Sequence, residues 1–275
     1  MEQKLKVGVL GATGMVGQRF VTLLENHPWF ELVAVAASPR SAGKTYEEAV
    51  GGRWKMKTPM PEAAKKLVVL NVNQVEEVAA QVDFVFSAVD MSKDEIRAIE
   101  EAYAKAEVPV VSNNSAHRWT PDVPMMVPEL NPEHAEIIPY QRKRLGTKRG
   151  FIAVKPNCSI QSYTPALHAL REFEPTLVVA TTYQAISGAG KTFKDWPEMI
   201  DNVIPYIAGE EEKSEQEPLR IWGKIEDGVI KKAEGPLITT QCIRVPVEDG
   251  HTAAVFVNFK KKPTKEEIID RWNNF

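Results

Sequence analysis

The feature that most constrains the fold is an apolar segment that runs straight into closely spaced glycines near the start of the chain. Residues 5–11 (LKVGVLG) have the length and composition of a buried strand. Glycines stand at positions 11, 14 and 17, and apolar residues then recur at helical spacing as far as Asn26. A second apolar run, residues 30–37, follows. Strand, glycine turn, helix and strand in this order predict a βαβ unit whose helix N-terminus faces a pyrophosphate.

The same alternation continues through the first half of the chain. Residues 82–89 and 108–112 have the composition of buried strands, and residues 92–106 form an amphipathic helical pattern with Asp94, Glu95 and Glu100 expected on the outer face. Repeated βα units imply an α/β fold with a doubly wound, Rossmann-type, mostly parallel sheet. We expect a nucleotide-binding domain over residues 1–157 and a second, α+β catalytic and dimerisation domain over residues 158–275.

The residues after the second predicted strand indicate which dinucleotide the chain binds. An NAD site usually has an acidic residue there for the ribose hydroxyls. This chain has Ser38, Arg40 and Ser41 instead, with Lys44 close behind. A guanidinium and hydroxyls suit a 2′-phosphate, so the pattern favours NADP. The alternative is a solvated basic loop.

Cys158 follows a short apolar run at residues 151–154 and precedes residues 160–173, which have a helical pattern with Leu167 and Leu170 on the apolar side. Unpaired amides at a helix start favour a thiolate, which is the nucleophilic form of cysteine. The alternative is a buried, inert cysteine. Cys242 lies within a strand pattern at residues 238–245 and is predicted to be a packing residue.

A thiolate nucleophile needs a partner for proton transfer, and His251 is placed to provide one. It lies in a turn between two predicted strands, from which a side chain can reach a cleft or simply face solvent. Arg244 ends the first of these strands, where an arginine is costly unless it binds a carboxylate or phosphate. Residues 187–192 (SGAGKT) imitate the end of a P-loop but lack its first glycine, which argues against a nucleotide triphosphatase.

Composition excludes several classes of protein. Hydrophobic residues make up 43% of the 275, and no segment approaches the apolar length of a membrane span. The net charge of −3 gives no basic footprint for nucleic acid or an anionic membrane. Two cysteines cannot form a disulfide framework, no metal-ligand spacing is present, and the first residues leave no room for a signal peptide. A cytoplasmic protein without a metal is therefore expected.

Several longer motifs, in order along nearly the whole chain, resemble the aspartate-β-semialdehyde dehydrogenase family, in the branch typical of archaea and fungi. The motifs are GATGMVGQ at 11–18, ASPRSAGK at 37–44, SNNSAHR at 112–118, PNCS at 156–159, YQAISGAG at 183–190, GEEEK at 209–213 and RVPVEDGH at 244–251. The resemblance implies NADPH-dependent reduction of L-aspartyl-4-phosphate to aspartate semialdehyde and phosphate, a step toward lysine, threonine, methionine and isoleucine. It also implies a homodimer or a dimer of dimers.

The resemblance assigns roles to particular residues. It implies a catalytic group of nucleophile, proton carrier and orienting amide: Cys158, His251 and Gln184. It implies carboxylate binding by Arg244, amino-group binding by Glu210 with Glu211 as the alternative, and phosphate binding by Arg118, Lys213 and Asn157. Cofactor contacts are implied for Gly11, Thr13, Gly14, Met15, Val16, Ser38, Arg40, Ser41 and Gly188.

Two other functions fit the same residues. One is a malonyl- or succinyl-CoA reductase that uses the same scaffold and cysteine, and the other is a non-catalytic NADP-binding relative. Residues 264–275 open as a helix capped by Thr264, and then the sequence ends. Members of the family continue further, so we expect this chain to be truncated at its C-terminus.

Overall fold

The computed structural model describes residues 3–275, which divide into two compact units. Within the described residues, the first unit contains residues 3–125 and 135–155, and the second contains residues 126–134 and 156–275. The chain therefore passes between the units at three points.

The core of the first unit is a six-stranded parallel sheet with the strand order β3-β2-β1-β4-β5-β6. Its strands are β1 Leu5–Leu10, β2 Phe30–Ala37, β3 Val69–Asn71, β4 Phe84–Ser87, β5 Val110–Ser112 and β6 Ile152–Val154. The order reverses between β1 and β4, and a doubly wound sheet binds its ligand at the carboxyl ends of strands at this point. The predicted Rossmann-type sheet is confirmed.

Helices connect these strands. They are α1 Met15–Leu23, α2 Tyr46–Val50, α3 Glu62–Lys65, α4 Val75–Ala79, α5 Lys93–Lys105 and α6 Ile138–Leu145. Two of them, α1 and α5, lie where the apolar pattern predicts a helix. α5 begins with a capping box, because the Ser92 side chain accepts the Glu95 amide and the Glu95 carboxylate accepts the Ser92 amide. This arrangement satisfies amide groups that the first turn leaves unpaired.

The expectation that Glu100 faces outward is wrong. Its side chain is fully buried, and its Oε1 accepts hydrogen bonds from the hydroxyls of Ser87 (2.7 Å) and Ser112 (2.6 Å) and from the Asn114 amide (3.1 Å). The two serines end β4 and β5, so their hydroxyls stand where the inner face of α5 crosses the sheet. Helical periodicity alone does not reveal such partners, because they come from distant parts of the chain.

The second unit is an α+β structure around a three-stranded sheet in the order β10-β7-β11. The strands of this sheet are β7 Pro175–Gln184, β10 Leu237–Arg244 and β11 Thr252–Phe259. Two further strands of the unit, β8 Lys224–Glu226 and β9 Val229–Lys231, pair with each other in a separate sheet. The helices of the unit are α7 Thr164–His168, α8 Glu210–Ile221 and α9 Lys265–Asn273. β10 runs parallel to β7 and β11 runs antiparallel to it, which brings the ends of β7 and β10 and the start of β11 together.

The continuous helix predicted for residues 160–173 is also wrong. The segment forms a 3-10 turn at Ile160–Ser162, then α7, then a second 3-10 turn at Arg171–Phe173. Pro165 lacks an amide hydrogen and its ring collides with the carbonyl four residues earlier, so it is tolerated only in the first turn of a new helix. Cys158 therefore lies in a turn that leads into a 3-10 helix and does not open an α-helix.

Within residues 3–275, no helix is long and apolar enough to cross a membrane.

Candidate active site

The glycine turn of the first unit has a geometry that only glycines allow. Gly11 has a φ of 79°, and a Cβ there would lie 2.3 Å from the Ala88 carbonyl oxygen. A Cβ on Gly17 would lie 2.2 Å from the Gly11 carbonyl oxygen. Both distances are far below contact, so neither position accepts a side chain. Gly14 precedes the first residue of α1 and is exposed, which leaves amide groups at the helix start open to an anion.

The remaining first-unit residues proposed for the cofactor surround this turn. Met15 and Val16 are the first two residues of α1, and the side-chain amide of Gln18 donates to the Thr13 carbonyl oxygen at 3.0 Å. Beyond β2, a tight turn is closed by the Ser41 amide donating to the Ser38 carbonyl oxygen at 2.9 Å. The Arg40 side chain lies exposed in this turn. A dinucleotide phosphate can therefore reach both hydroxyls and the guanidinium.

Arg118 belongs to the first unit. Only 6% of it is exposed, and its Nε donates to the Lys155 carbonyl oxygen at 3.0 Å. Arg118 follows β5 by a few residues, so it lies at the carboxyl edge of the sheet, where ligands of this fold bind.

The second unit places a thiol beside an imidazole. The Nε2 atom of His251 lies 3.2 Å from the Sγ atom of Cys158, although the two residues are 93 positions apart. The Ala185 amide donates to His251 Nδ1 at 3.0 Å. A neutral imidazole carries one proton, and since Nδ1 is an acceptor, the proton lies on Nε2 and faces the sulfur. Cys158 is exposed, so a substrate can reach the sulfur.

A partly buried carboxylate connects three polar side chains next to this pair. Glu210 accepts hydrogen bonds from the side-chain amides of Asn157 (2.9 Å) and Gln184 (3.2 Å) and from the Lys213 ammonium group (2.6 Å). Burial opposes ionisation of Glu210, but these donors outweigh it and hold the pKa of Glu210 below its ordinary value. Thr182, two residues before Gln184 on the same face of β7, fixes that amide by donating to its Oε1 at 2.9 Å.

The geometry distinguishes Glu210 from its neighbour Glu211. Glu211 points toward β10, where its Oε1 accepts the Cys242 amide at 3.4 Å. Cys242 is fully buried in that strand, as predicted for a packing residue. Glu210, in contrast, contacts Asn157, the residue directly before Cys158.

Arg244 ends β10 and is 6% exposed. Burial lowers the pKa of its guanidinium from the ordinary value, while the negative charge of Glu210 opposes that shift. The Arg244 Nη1 atom donates to the Ala185 carbonyl oxygen at 2.7 Å. Ala185 therefore holds both His251, through its amide, and Arg244, through its carbonyl group.

Gly188 has a steric role that its sequence motif does not reveal. A Cβ at Gly188 would lie 3.0 Å from Arg244 Nη1 and 3.0 Å from His251 Cε1. The absence of a side chain thus lets both functional groups approach the backbone of the segment after β7. Sequence reasoning also missed Ala185, because its contribution is made by backbone atoms. The role of Thr182 could have been predicted, because residues two apart on a strand share a face and Thr182 therefore lies beside Gln184.

A dinucleotide-type sheet together with a cysteine–histidine pair defines a class of oxidoreductases that use a thiol. The family described as "Semialdehyde dehydrogenase, NAD binding domain" matches residues 6–138, and "Semialdehyde dehydrogenase, dimerisation domain" matches residues 166–275. Aspartate-semialdehyde dehydrogenase from Methanothermobacter thermautotrophicus is 40% identical over 98% of this chain and 76% of its own length. The enzyme of that name from Saccharomyces cerevisiae is 42% identical over 96% of this chain and 73% of its own. The chain therefore belongs to the aspartate-semialdehyde dehydrogenase family.

Solved structures agree with this assignment. The crystal structure of aspartate-semialdehyde dehydrogenase with NADP from Candida albicans has a TM-score of 0.84 and 36% identity, and the match covers 99% of this chain and 77% of that one. Aspartate-semialdehyde dehydrogenase II from Vibrio cholerae, complexed with ASA, has a TM-score of 0.73 and 25% identity, with 99% and 79% covered. The chain thus spans about three quarters of the length of these relatives.

Proposed function

We propose that the chain catalyses the NADPH-dependent reductive dephosphorylation of L-aspartyl-4-phosphate to L-aspartate 4-semialdehyde and phosphate. The observation that carries the proposal is the contact of 3.2 Å between Cys158 Sγ and His251 Nε2. The Ala185 amide at His251 Nδ1 gives that contact a defined proton on Nε2. An exposed thiol with a fixed acid–base partner is suited to forming an acyl-enzyme.

The first unit fits NADP as the cofactor. Gly14 opens the helix start to the pyrophosphate, and Ser38, Arg40 and Ser41 supply hydroxyls and a guanidinium for a 2′-phosphate. A solved relative from Candida albicans is described with NADP. When bound, the cofactor supplies a hydride to the acyl carbon. We assign the pyrophosphate contacts to Gly11, Thr13, Gly14, Met15 and Val16, and a contact near the nicotinamide to Gly188.

The second unit supplies groups for the rest of the substrate. The buried Arg244 binds the α-carboxylate through its planar fork, and Glu210 binds the α-ammonium group. Lys213 lies one helical turn from Glu210, and we assign Lys213 and Asn157 to the phosphate. Arg118 of the first unit stays a predicted phosphate ligand. We propose residues 1–157 as the cofactor domain and residues 158–275 as the catalytic domain, although residues 126–134 and 156–157 group with the second compact unit.

The chemistry at the sulfur follows from these contacts. The Cys158 thiolate attacks the acyl carbon, a C–S bond forms, and the C–O bond to phosphate breaks with the electron pair leaving on phosphate. Hydride addition to the resulting thioester gives a thiohemiacetal oxyanion, which the Nε2–H group of His251 stabilises by a hydrogen bond. Collapse of this oxyanion re-forms the carbonyl bond and breaks the C–S bond, which releases the aldehyde and restores the thiolate, while Gln184 orients the acyl group from a position fixed by Thr182.

The reverse reaction gives a direct test. Aspartate semialdehyde, NADP and inorganic phosphate are mixed with the enzyme, and NADPH is followed by its absorbance. We expect NADPH formation that requires phosphate and is lost in Cys158→Ser but retained in Cys242→Ser. Activity that ignores phosphate and requires coenzyme A would identify the chain as an acyl-CoA reductase. Cofactor binding without turnover under either condition would identify it as a non-catalytic NADP-binding protein.

We further propose a homodimer, or a dimer of dimers, in the cytoplasm. The match to a dimerisation domain supports the dimer. One face of the sheet β10-β7-β11 supports it as well, because Val179, Tyr183, Leu237 and Phe256 are large apolar residues exposed there. A reduced Cys158 is needed for the reaction, which suits a cytoplasm. Sedimentation of Phe256→Lys at micromolar concentration tests the interface, since a buried lysine without a partner separates subunits.

A further inference from the structure

Asn157, the residue directly before Cys158, is held at each of its polar groups. Its amide nitrogen donates to Glu217 Oε2 at 2.5 Å, and its side-chain amide donates to Glu210 Oε2 at 2.9 Å. Its Oδ1 accepts the amide of Ser159 at 2.8 Å and the hydroxyl of Ser159 at 2.6 Å. Its carbonyl oxygen accepts the Gln161 side chain at 3.2 Å. The backbone on both sides of the nucleophile is thus fixed by hydrogen bonds.

The partners of this segment share one face of α8. Glu210, Ser214 and Glu217 are spaced four and three residues apart, so their side chains project from the same side of the helix. The Ser214 hydroxyl lies 3.1 Å from the Ser159 hydroxyl, between the two carboxylate contacts. α8 therefore contacts residues 157 and 159, on either side of Cys158, through three of its side chains.

Glu217 is the carboxylate of this face that has no assigned role in substrate binding. It is 1% exposed, and burying a carboxylate costs free energy unless strong donors satisfy it. Its Oε2 satisfies the main-chain amide of Asn157, which no α-helix or strand satisfies, because residues 155–159 lie outside both. Adjacent Cα atoms are about 3.8 Å apart, so a shift of Asn157 is passed directly to Cys158.

We propose that Glu217 is a positioning residue, which by accepting the Asn157 amide sets the Cys158 sulfur within reach of His251 Nε2. The inference rests on the proposed function, in which Cys158 is the nucleophile. The acceptor oxygen of Glu217, and not its negative charge, is what positions the sulfur. Two substitutions separate these properties. Glu217→Gln keeps an acceptor oxygen at the same reach and removes the charge, whereas Glu217→Asp keeps the charge and withdraws the acceptor by about 1.5 Å, one C–C bond.

The experiment measures three quantities on full-length chains. The first is the rate of alkylation of Cys158 by iodoacetamide, with Cys242 as the internal reference. The second is kcat and KM for aspartate semialdehyde in the phosphate-dependent reaction, per titrated Cys158. The third is the midpoint of thermal unfolding. Glu212→Gln and Glu212→Asp are the matched controls, because Glu212 is an exposed glutamate of the same helix.

We expect Glu217→Asp to lower kcat by about tenfold to a hundredfold with KM within about threefold, since misplacement of a reacting atom by 1 Å costs about a hundredfold. Glu217→Gln and both control variants should stay within about threefold of the parent. Equal kcat in Glu217→Asp and the parent, whatever the change in thermal midpoint, would reduce Glu217 to a purely structural residue. Loss of kcat in folded Glu217→Gln would overturn the acceptor role by itself, even if the Asp variant did not fold. Slow alkylation of Cys158 in the parent chain would instead contradict the proposed function.

Discussion

Replacing Gly188 with alanine tests the claim that this glycine makes room for two functional side chains. The added Cβ would lie 3.0 Å from both Arg244 Nη1 and His251 Cε1, roughly 0.4 Å inside the ordinary contact distance. Both side chains must therefore retreat by a few tenths of an ångström. If a shift of 1 Å costs about a hundredfold in rate, a shift of this size costs about tenfold, or about 1.4 kcal/mol in activation free energy.

The assay is the phosphate-dependent formation of NADPH from aspartate semialdehyde, measured with thermal unfolding. We expect kcat/KM for aspartate semialdehyde to fall about tenfold, while the unfolding midpoint changes by no more than about 3 °C. Gly52→Ala is the control, because a Cβ at Gly52 meets nothing within 4 Å. An unchanged kcat/KM in Gly188→Ala would refute the steric argument. A rise confined to the KM for NADP would assign Gly188 to the cofactor alone.

Three further changes test other parts of the structure. Arg244→Lys should lower kcat/KM by about tenfold or more, because lysine lacks the planar fork for a carboxylate, and steady-state kinetics against aspartate semialdehyde checks this. Gly17→Ala should destabilise the first unit and weaken NADP binding, measured by thermal unfolding and by fluorescence titration, since its Cβ would lie 2.2 Å from the Gly11 carbonyl oxygen. The carboxylate of Glu107 accepts the backbone amides of Gly150, Lys148 and Arg149, which lower its pKa from 4.5 to about 2. Its contribution to stability should be complete above pH 4.5 and lost as the pH falls toward 2, and Glu107→Gln should remove this part of the acid unfolding profile measured by circular dichroism.

Five of the six strands of the first-unit sheet were predictable because their signals are local, whereas β3 was not predicted. Apolar runs, glycine spacing and helical periodicity each depend on neighbouring residues, and the structure places β2 and α5 where these patterns predict them. The burial of Glu100 could not be predicted from such local patterns. A glutamate on a helical pattern indicates an exposed face, and its burial depends on the hydroxyls of Ser87 and Ser112, contributed by two separate strands, and on the Asn114 side-chain amide.

In the candidate site, too, the sequence identified the residues but not the contacts between them. Sequence patterns identified Cys158, His251 and Arg244 as residues with chemistry to perform, and family resemblance supplied their roles. The patterns could not give the contact of 3.2 Å between sulfur and imidazole, which spans 93 positions. Nor could they find the Ala185 amide that fixes the imidazole proton, because a backbone group leaves no mark on the sequence.

The sequence by itself determined that Cys158 follows a strand between the polar residues Asn157 and Ser159, with a basic loop and a glycine turn elsewhere in the chain. It did not determine how the segment around Cys158 is held, and the helix predicted after the cysteine was wrong, because Pro165 interrupts it. The tertiary structure decided that α8 holds the segment, through Glu210, Ser214 and Glu217. The physical reason is that buried polar groups must find partners, and those partners are chosen by packing between elements and not by proximity along the chain.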